Sequence, residues 1–204
     1  NTCPETLQKV AAAKNFPIFR TEETSSEVMV DIIAYLNDMI APSTNMHGVL
    51  LNVFGKGVMI MGESGMGKSE IALELITMGH SLVADDRVDI KRIKNQVIGT
   101  SAPLLKGLLE IRGIGIIDVM QMFGVGADLE QEFVDFVMEF RPWNPQEEYM
   151  RVGIGEDKVI DILGVEVPHL IFPVKEGRNL AVLVESAVRN FLLRQRGFHA
   201  AEVF

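Results

Sequence analysis

The chain has 204 residues, 48% of them hydrophobic, with 19 basic against 28 acidic side chains. This length and apolar content allow one large domain with a real core, and the net charge of −9 argues against a bulk nucleic-acid binder. A single cysteine, Cys3, excludes an intrachain disulfide and fits a reducing cytoplasm; the longest apolar run is broken by Asn52 and Lys56, so no membrane span is expected.

Residues 1–27 carry no strong period and read as a linker after a missing N-terminal domain, the chain opening on Asn1 rather than Met. Thr24 and Glu27 stand at capping-box distance before a stripe of Val28, Ile32, Ile33, Leu36 and Met39. That pattern predicts an amphipathic helix packed on a sheet. Residues 42–46 read as a loop. Val49–Phe54 and Val58–Met61 then predict two strands joined by a turn at Gly55-Lys56-Gly57.

The second of these strands feeds Gly62-Glu63-Ser64-Gly65-Met66-Gly67-Lys68-Ser69, which fits G-x-x-x-x-G-K-[ST], the P-loop. Glu70 to Met78 follows at helical spacing, with Gly79 as its stop. The order of strand, loop and helix has a physical purpose. Glycines let backbone N–H groups turn toward phosphate oxygens, and the helix N-terminus adds its positive end. Lys68 then reaches the outer phosphates, and the Ser69 hydroxyl is placed to ligate Mg²⁺. A hairpin leading into this loop predicts a mixed rather than a parallel sheet.

Ser81–Asp86 reads as a strand ending in two carboxylates. Asp85 or Asp86 can hold Mg²⁺ or accept a proton from a hydroxyl, and the sequence leaves open which does which. Adjacent strand residues face opposite ways, so both can reach one atom only through a local irregularity. A hairpin over Val88–Ile93 and Gln96–Ile98, a strand over Phe133–Phe140, strands over Ile160–Pro168 and His169–Pro173, and a helix from Leu180 to Arg196 complete the reading. The fold class is α/β, a P-loop-containing mixed sheet with flanking helices.

His47-Gly48, the P-loop followed by Glu70, Ala84-Asp85-Asp86, Leu109-Glu110-Ile111-Arg112-Gly113-Ile114-Gly115-Ile116-Ile117 and Val174-Lys175-Glu176-Gly177-Arg178-Asn179-Leu180 come in the order found in HPr kinase/phosphorylase. The resemblance covers residues 28–199 and makes 28–204 a kinase/phosphorylase catalytic domain. It departs from the family between Gly126 and Phe133, where the chain is shorter than usual. It implies a fold similar to phosphoenolpyruvate carboxykinase. It further implies a cytoplasmic, homohexameric bacterial enzyme with Mg²⁺ that phosphorylates a serine of the carrier protein HPr, using ATP or pyrophosphate. The same enzyme would remove that phosphate with inorganic phosphate, in carbon catabolite regulation. Neither nucleic acid nor membrane is an expected partner.

Residue by residue, the resemblance makes His47, Lys68, the Asp85/Asp86 pair and Arg151 catalytic, and Glu110 a metal-side carboxylate beside Ser69. It ties Pro173, Val174, Lys175, Glu176, Gly177 and Arg178 to the phosphorolysis direction, where two cations beside a glycine suit a second anion. Two rivals stand beside this reading: a nucleotide-gated module that transfers no phosphate, and a small-molecule kinase.

Overall fold

The computed structural model describes residues 3–144, 158–175 and 177–198. The chain divides into two units, Asn1–Ile40 and Ala41–Phe204. The first holds two helices, α1 (Glu5–Ala13) and α2 (Ser25–Ile40). The capping box ahead of α2 forms as expected: Thr24 Oγ1 accepts from Glu27 N, and the Glu27 carboxylate accepts from Thr24 N at 2.8 Å. These bonds hold the Glu27 carboxyl below its ordinary range. α2 forms where the apolar stripe predicts a helix, over Ser25–Ile40. α1 arises in a segment without a readable period.

The second unit is layered around a six-stranded mixed sheet in the order β11-β12-β10-β3-β2-β4. Its strands are β2 (Val49–Val53), β3 (Lys56–Gly62), β4 (Ser81–Ala84), β10 (Phe136–Pro142), β11 (Val159–Ile162) and β12 (Val165–Val174). β10 runs parallel to both β3 and β12, and the remaining pairs are antiparallel. Alternation along β2 shows how one sheet serves two cores. Val49, Leu51 and Val53 face α3 (Lys68–Thr77) and α5 (Leu180–Gln195), packing with Ile71, Leu75, Val184 and Val188. Leu50 faces the other way, onto Val88, Ile90 and Val97 of a second sheet. That sheet has the order β1-β5-β6-β9 and is antiparallel throughout, formed by β1 (Ser43–His47), β5 (Arg87–Ile93), β6 (Gln96–Ser101) and β9 (Gln131–Phe133).

β7 (Leu108–Ile111) and β8 (Gly115–Asp118) make a separate hairpin, followed by the short α4 (Val119–Phe123). The stretch through Gly113 and Gly115 therefore turns back on itself. Of residues 42–46, expected as loop, 43–46 form with His47 the edge strand β1, paired with β5 from Ser43↔Lys91 to His47↔Arg87. Its side chains are mostly exposed, so it has no alternating apolar signal to read. The two C-terminal strands break at Leu163-Gly164 rather than at Pro168-His169, because Leu163 (φ 56°) and Gly164 (φ 77°) make the reversal.

The β2–β3 turn sits at Phe54-Gly55, with φ of 54° and 76°, one residue before the expected place. Gly57 lies within β3 and has a different task. Asp135 N donates to Gly57 O and Gly57 N to the Asp135 carboxylate, both at 2.9 Å, bringing the β9–β10 connection across this strand. A Cβ on Gly57 would lie 1.6 Å from Phe133 O, which is backbone and cannot swing aside. Gly57→Ala is therefore expected to cost at least about 1–3 kcal/mol of unfolding free energy. Gly126→Ala, where an added Cβ meets nothing within 4 Å, is expected to stay within about 0.5 kcal/mol in the same denaturation experiment. Equal stability of the two variants would contradict the close approach.

Candidate active site

The site is built where β3 gives way to α3. Gly62, the last residue of β3, pairs with Phe140 of β10, and a Cβ on it would lie 2.8 Å from Phe140 O. Gly65 and Gly67 take φ of 90° and 78°, which a side-chain-bearing residue rarely adopts. Gly67 is also the N-cap of α3 and offers no capping side chain. The first-turn N–H groups of α3 thus face the loop without a side-chain acceptor of their own, as an anion site requires. Lys68 is buried, and its Nζ donates to Gly62 O and Glu63 O, each at 3.0 Å. The ammonium group is held over the opening residues of the loop.

Ser69 Oγ lies 3.0 and 3.1 Å from the two carboxylate oxygens of Asp85, and Glu110 N donates to Asp85 Oδ2 at 3.3 Å. Asp85 is buried, and burial pushes its carboxyl above the ordinary range against the opposing pull of the Ser69 hydroxyl. Asp86 adopts φ of 64°, a local irregularity just after β4, yet the two carboxylates do not converge on one atom. Its side chain is 73% exposed, and its Oδ1 lies 3.2 Å from His47 Nδ1. The same nitrogen is 2.8 Å from Asp86 O; a carbonyl only accepts, so Nδ1 carries the hydrogen in that contact. One carboxylate is locked inward on Ser69, and the other is presented outward beside an imidazole.

A pocket of about 640 Å³ opens between the loop and the end of β10, lined by Met46, His47, Met61, Gly62, Glu63, Glu139 and Arg141 among others. Arg141 Nε and a terminal nitrogen donate to the two Glu139 oxygens at 2.8 and 3.0 Å, and His169 Nε2 lies 3.0 Å from Glu139 Oε2. The Arg141 hydrogen bonds and the Arg141 charge, with His169 close by, hold the Glu139 carboxyl below its usual range. The wall carboxylate is thus already compensated.

The expected residues divide into three groups. His47, Gly62–Ser69, Asp85 and Asp86 gather at one edge of the sheet. Glu110 reaches the site through its backbone, with its side chain exposed. Among the described residues, no three His, Cys, Asp or Glu side chains form a ready-made metal cage. Pro173 and Val174 end β12, in register with Arg141 and Pro142, and Lys175 and Arg178 are exposed beyond them. Arg151 and Glu176 lie outside the described residues. One residue escaped the sequence reading: the Arg112 guanidinium would lie 3.4 Å from a Cβ on Gly65, so a second cation overhangs the loop. Its place in the Leu109–Ile117 stretch was the available signal.

The model of the HPr Serine kinase C-terminal domain matches residues 38–204. An HPr kinase/phosphorylase of Lachnoclostridium phytofermentans is 45% identical over 199 residues, covering 97% of this chain and 64% of the relative. One of Geobacillus thermodenitrificans is 44% identical over 202 residues, covering 98% of this chain and 65% of the relative. The chain thus spans less than two thirds of the length of these curated relatives. The solved structure of the Hpr(Ser) kinase/phosphatase from Coxiella burnetii superposes with a TM-score of 0.68 at 37% identity, covering 75% of this chain and 99% of that one. On the match over residues 38–204, the chain belongs to the HPr Serine kinase C-terminal domain family.

Proposed function

We propose that this chain is the catalytic part of a bifunctional serine kinase/phosphorylase acting on HPr, with residues 28–204 as the catalytic domain and 1–27 as a linker to it. The observation that carries the reading is the pairing of two differently employed carboxylates at one loop: Asp85 on Ser69, Asp86 beside His47. In this reading Gly62–Ser69 is a P-loop that cradles the phosphates of ATP or pyrophosphate in a sheet like that of phosphoenolpyruvate carboxykinase. Lys68 and Arg112 neutralise charge on the transferring phosphoryl group.

The donor set suits Mg²⁺. A hydroxyl and a buried carboxylate are hard oxygen ligands, and a carboxylate whose charge is disfavoured by burial gains from a nearby cation. Ser69 and Asp85 would hold the ion, with Glu110 at the exposed side, and the ion would supply charge neutralisation of the polyphosphate.

Asp86 is the proposed general base. Both oxygens of Asp85 are engaged by Ser69 and Glu110 N, whereas Asp86 is exposed, oriented by His47 of the pocket wall. For phosphorylation, the acceptor serine Oγ attacks the terminal phosphorus, its proton passes to Asp86, and the bond to the leaving phosphate breaks. For phosphorolysis, an oxygen of inorganic phosphate attacks the phosphoserine phosphorus, the serine oxygen leaves and recovers the proton from Asp86, and pyrophosphate forms. Arg151 is proposed to neutralise charge in both directions. Homohexameric assembly in the bacterial cytoplasm completes the proposal; among the described residues, no helix is long and apolar enough to cross a membrane.

Lys68→Ala is expected to abolish both directions with the fold retained, and turnover with Mg-ATP would remove the loop from the mechanism. Asp86→Asn is expected to slow both directions about 10²–10⁴-fold with nucleotide binding preserved; a comparable rate in stopped assays would assign the base elsewhere. Arg178→Ala is expected to raise the phosphate requirement of phosphorolysis more than it impairs phosphorylation, because free phosphate needs a site that ATP does not. Matched losses would contradict that role.

A further inference from the structure

The turn bearing Lys175 and Arg178 is tied to α3 by the residue that follows it. Asn179 is the N-cap of α5, its Oδ1 accepting from Val182 N at 2.9 Å. The other end of the same amide, Nδ2, donates to Glu74 Oε1 on α3 at 2.5 Å. Capping alone would be served equally well by Ser or Asp. The bond to a carboxylate needs a donor as well, and the two ends of an asparagine amide supply both at once.

A second tie lies two turns along α5. His80 is buried after α3, with Nε2 2.8 Å from Glu185 Oε1 on α5. Phe54 meets the His80 ring edge-on at 4.7 Å, and the Arg189 guanidinium lies 4.1 Å above Phe54. Beside the ties runs an apolar seam of Ile71, Ala72 and Leu75 against Ala181, Val184 and Val188. The N-terminal half of α5 is therefore fastened to α3, whose first turn carries Lys68 and Ser69, and to His80, which follows that helix. The grip at Asn179 stands one residue from Arg178.

We propose that Asn179 is a positioning residue that, through Glu74, sets the place of its neighbour Arg178 relative to the phosphate cradle. Its function is selective for the direction that needs free phosphate. The inference rests on the proposed role of that turn in phosphorolysis.

The test is a double-substitution cycle on the protein, with KM for inorganic phosphate, KM for ATP and thermal stability as readouts. Asn179→Asp keeps the cap but sets a carboxylate against Glu74. It is expected to raise KM for phosphate about tenfold, the scale of losing one charge-assisted hydrogen bond, while KM for ATP stays within about twofold. Made in a Glu74→Gln background, the same substitution meets an amide donor, so the bond re-forms with reversed polarity and the rise is expected to vanish. The new carboxylate is present in both backgrounds, so rescue separates positioning from simple repulsion of phosphate.

A rise of equal size in both backgrounds would overturn the inference. So would a fall in Tm without a split between the two KM values. If Arg178→Ala spares phosphorolysis, the underlying reading of the turn fails; if it is selective while Asn179→Asp is silent, the positioning role alone fails.

Discussion

The buried carboxylate of Asp85 is the constraint around which the site is arranged. A charge taken out of water must be compensated by hydrogen bonds or by a cation. Here Ser69 Oγ and Glu110 N supply the hydrogen bonds, and they come from α3 and β7. One side chain at the end of β4 thus joins the loop helix to the β7–β8 hairpin, which in turn carries Arg112 over Gly65. The arrangement also frees its neighbour. With Asp85 turned inward, the left-handed backbone at Asp86 presents the second carboxylate outward, beside His47.

Sheet topology explains why these groups meet. β3 delivers Gly62 at its C-terminal end, parallel β10 delivers the pocket wall one strand away, and β12 delivers the cationic turn beyond that. β4, on the far side of β2, delivers the aspartates. In α/β sheets the loops at strand C-termini converge on one edge, so chemistry concentrates there. The helices hold the arrangement from one face, while the antiparallel second sheet covers the other and contributes His47 from its edge strand.

Much of this was legible in the chain because strong local rules coincided. The apolar run into Gly62, the glycines and the Lys-Ser pair fixed the loop and helix before any tertiary contact was known. The division of labour between Asp85 and Asp86 was not legible: alternation has them face apart, but which one is buried against Ser69 and which stands beside His47 depends on elements distant in sequence. β1 was missed because an exposed edge strand has no buried face to imprint a period, and the turn near Gly57 was misplaced because that glycine answers to Phe133, far away in sequence. Gly57 and Gly55 look alike in sequence; only the crossing backbone distinguishes them.

The central claim is reversible transfer of a phosphoryl group to a protein serine. Its most direct measurement is the intact mass of purified HPr after incubation with the protein and Mg-ATP, followed by addition of inorganic phosphate. The account predicts a gain of one phosphoryl group that the second step removes, with pyrophosphate formed in equal amount. An unchanged HPr mass alongside demonstrable nucleotide binding would contradict it.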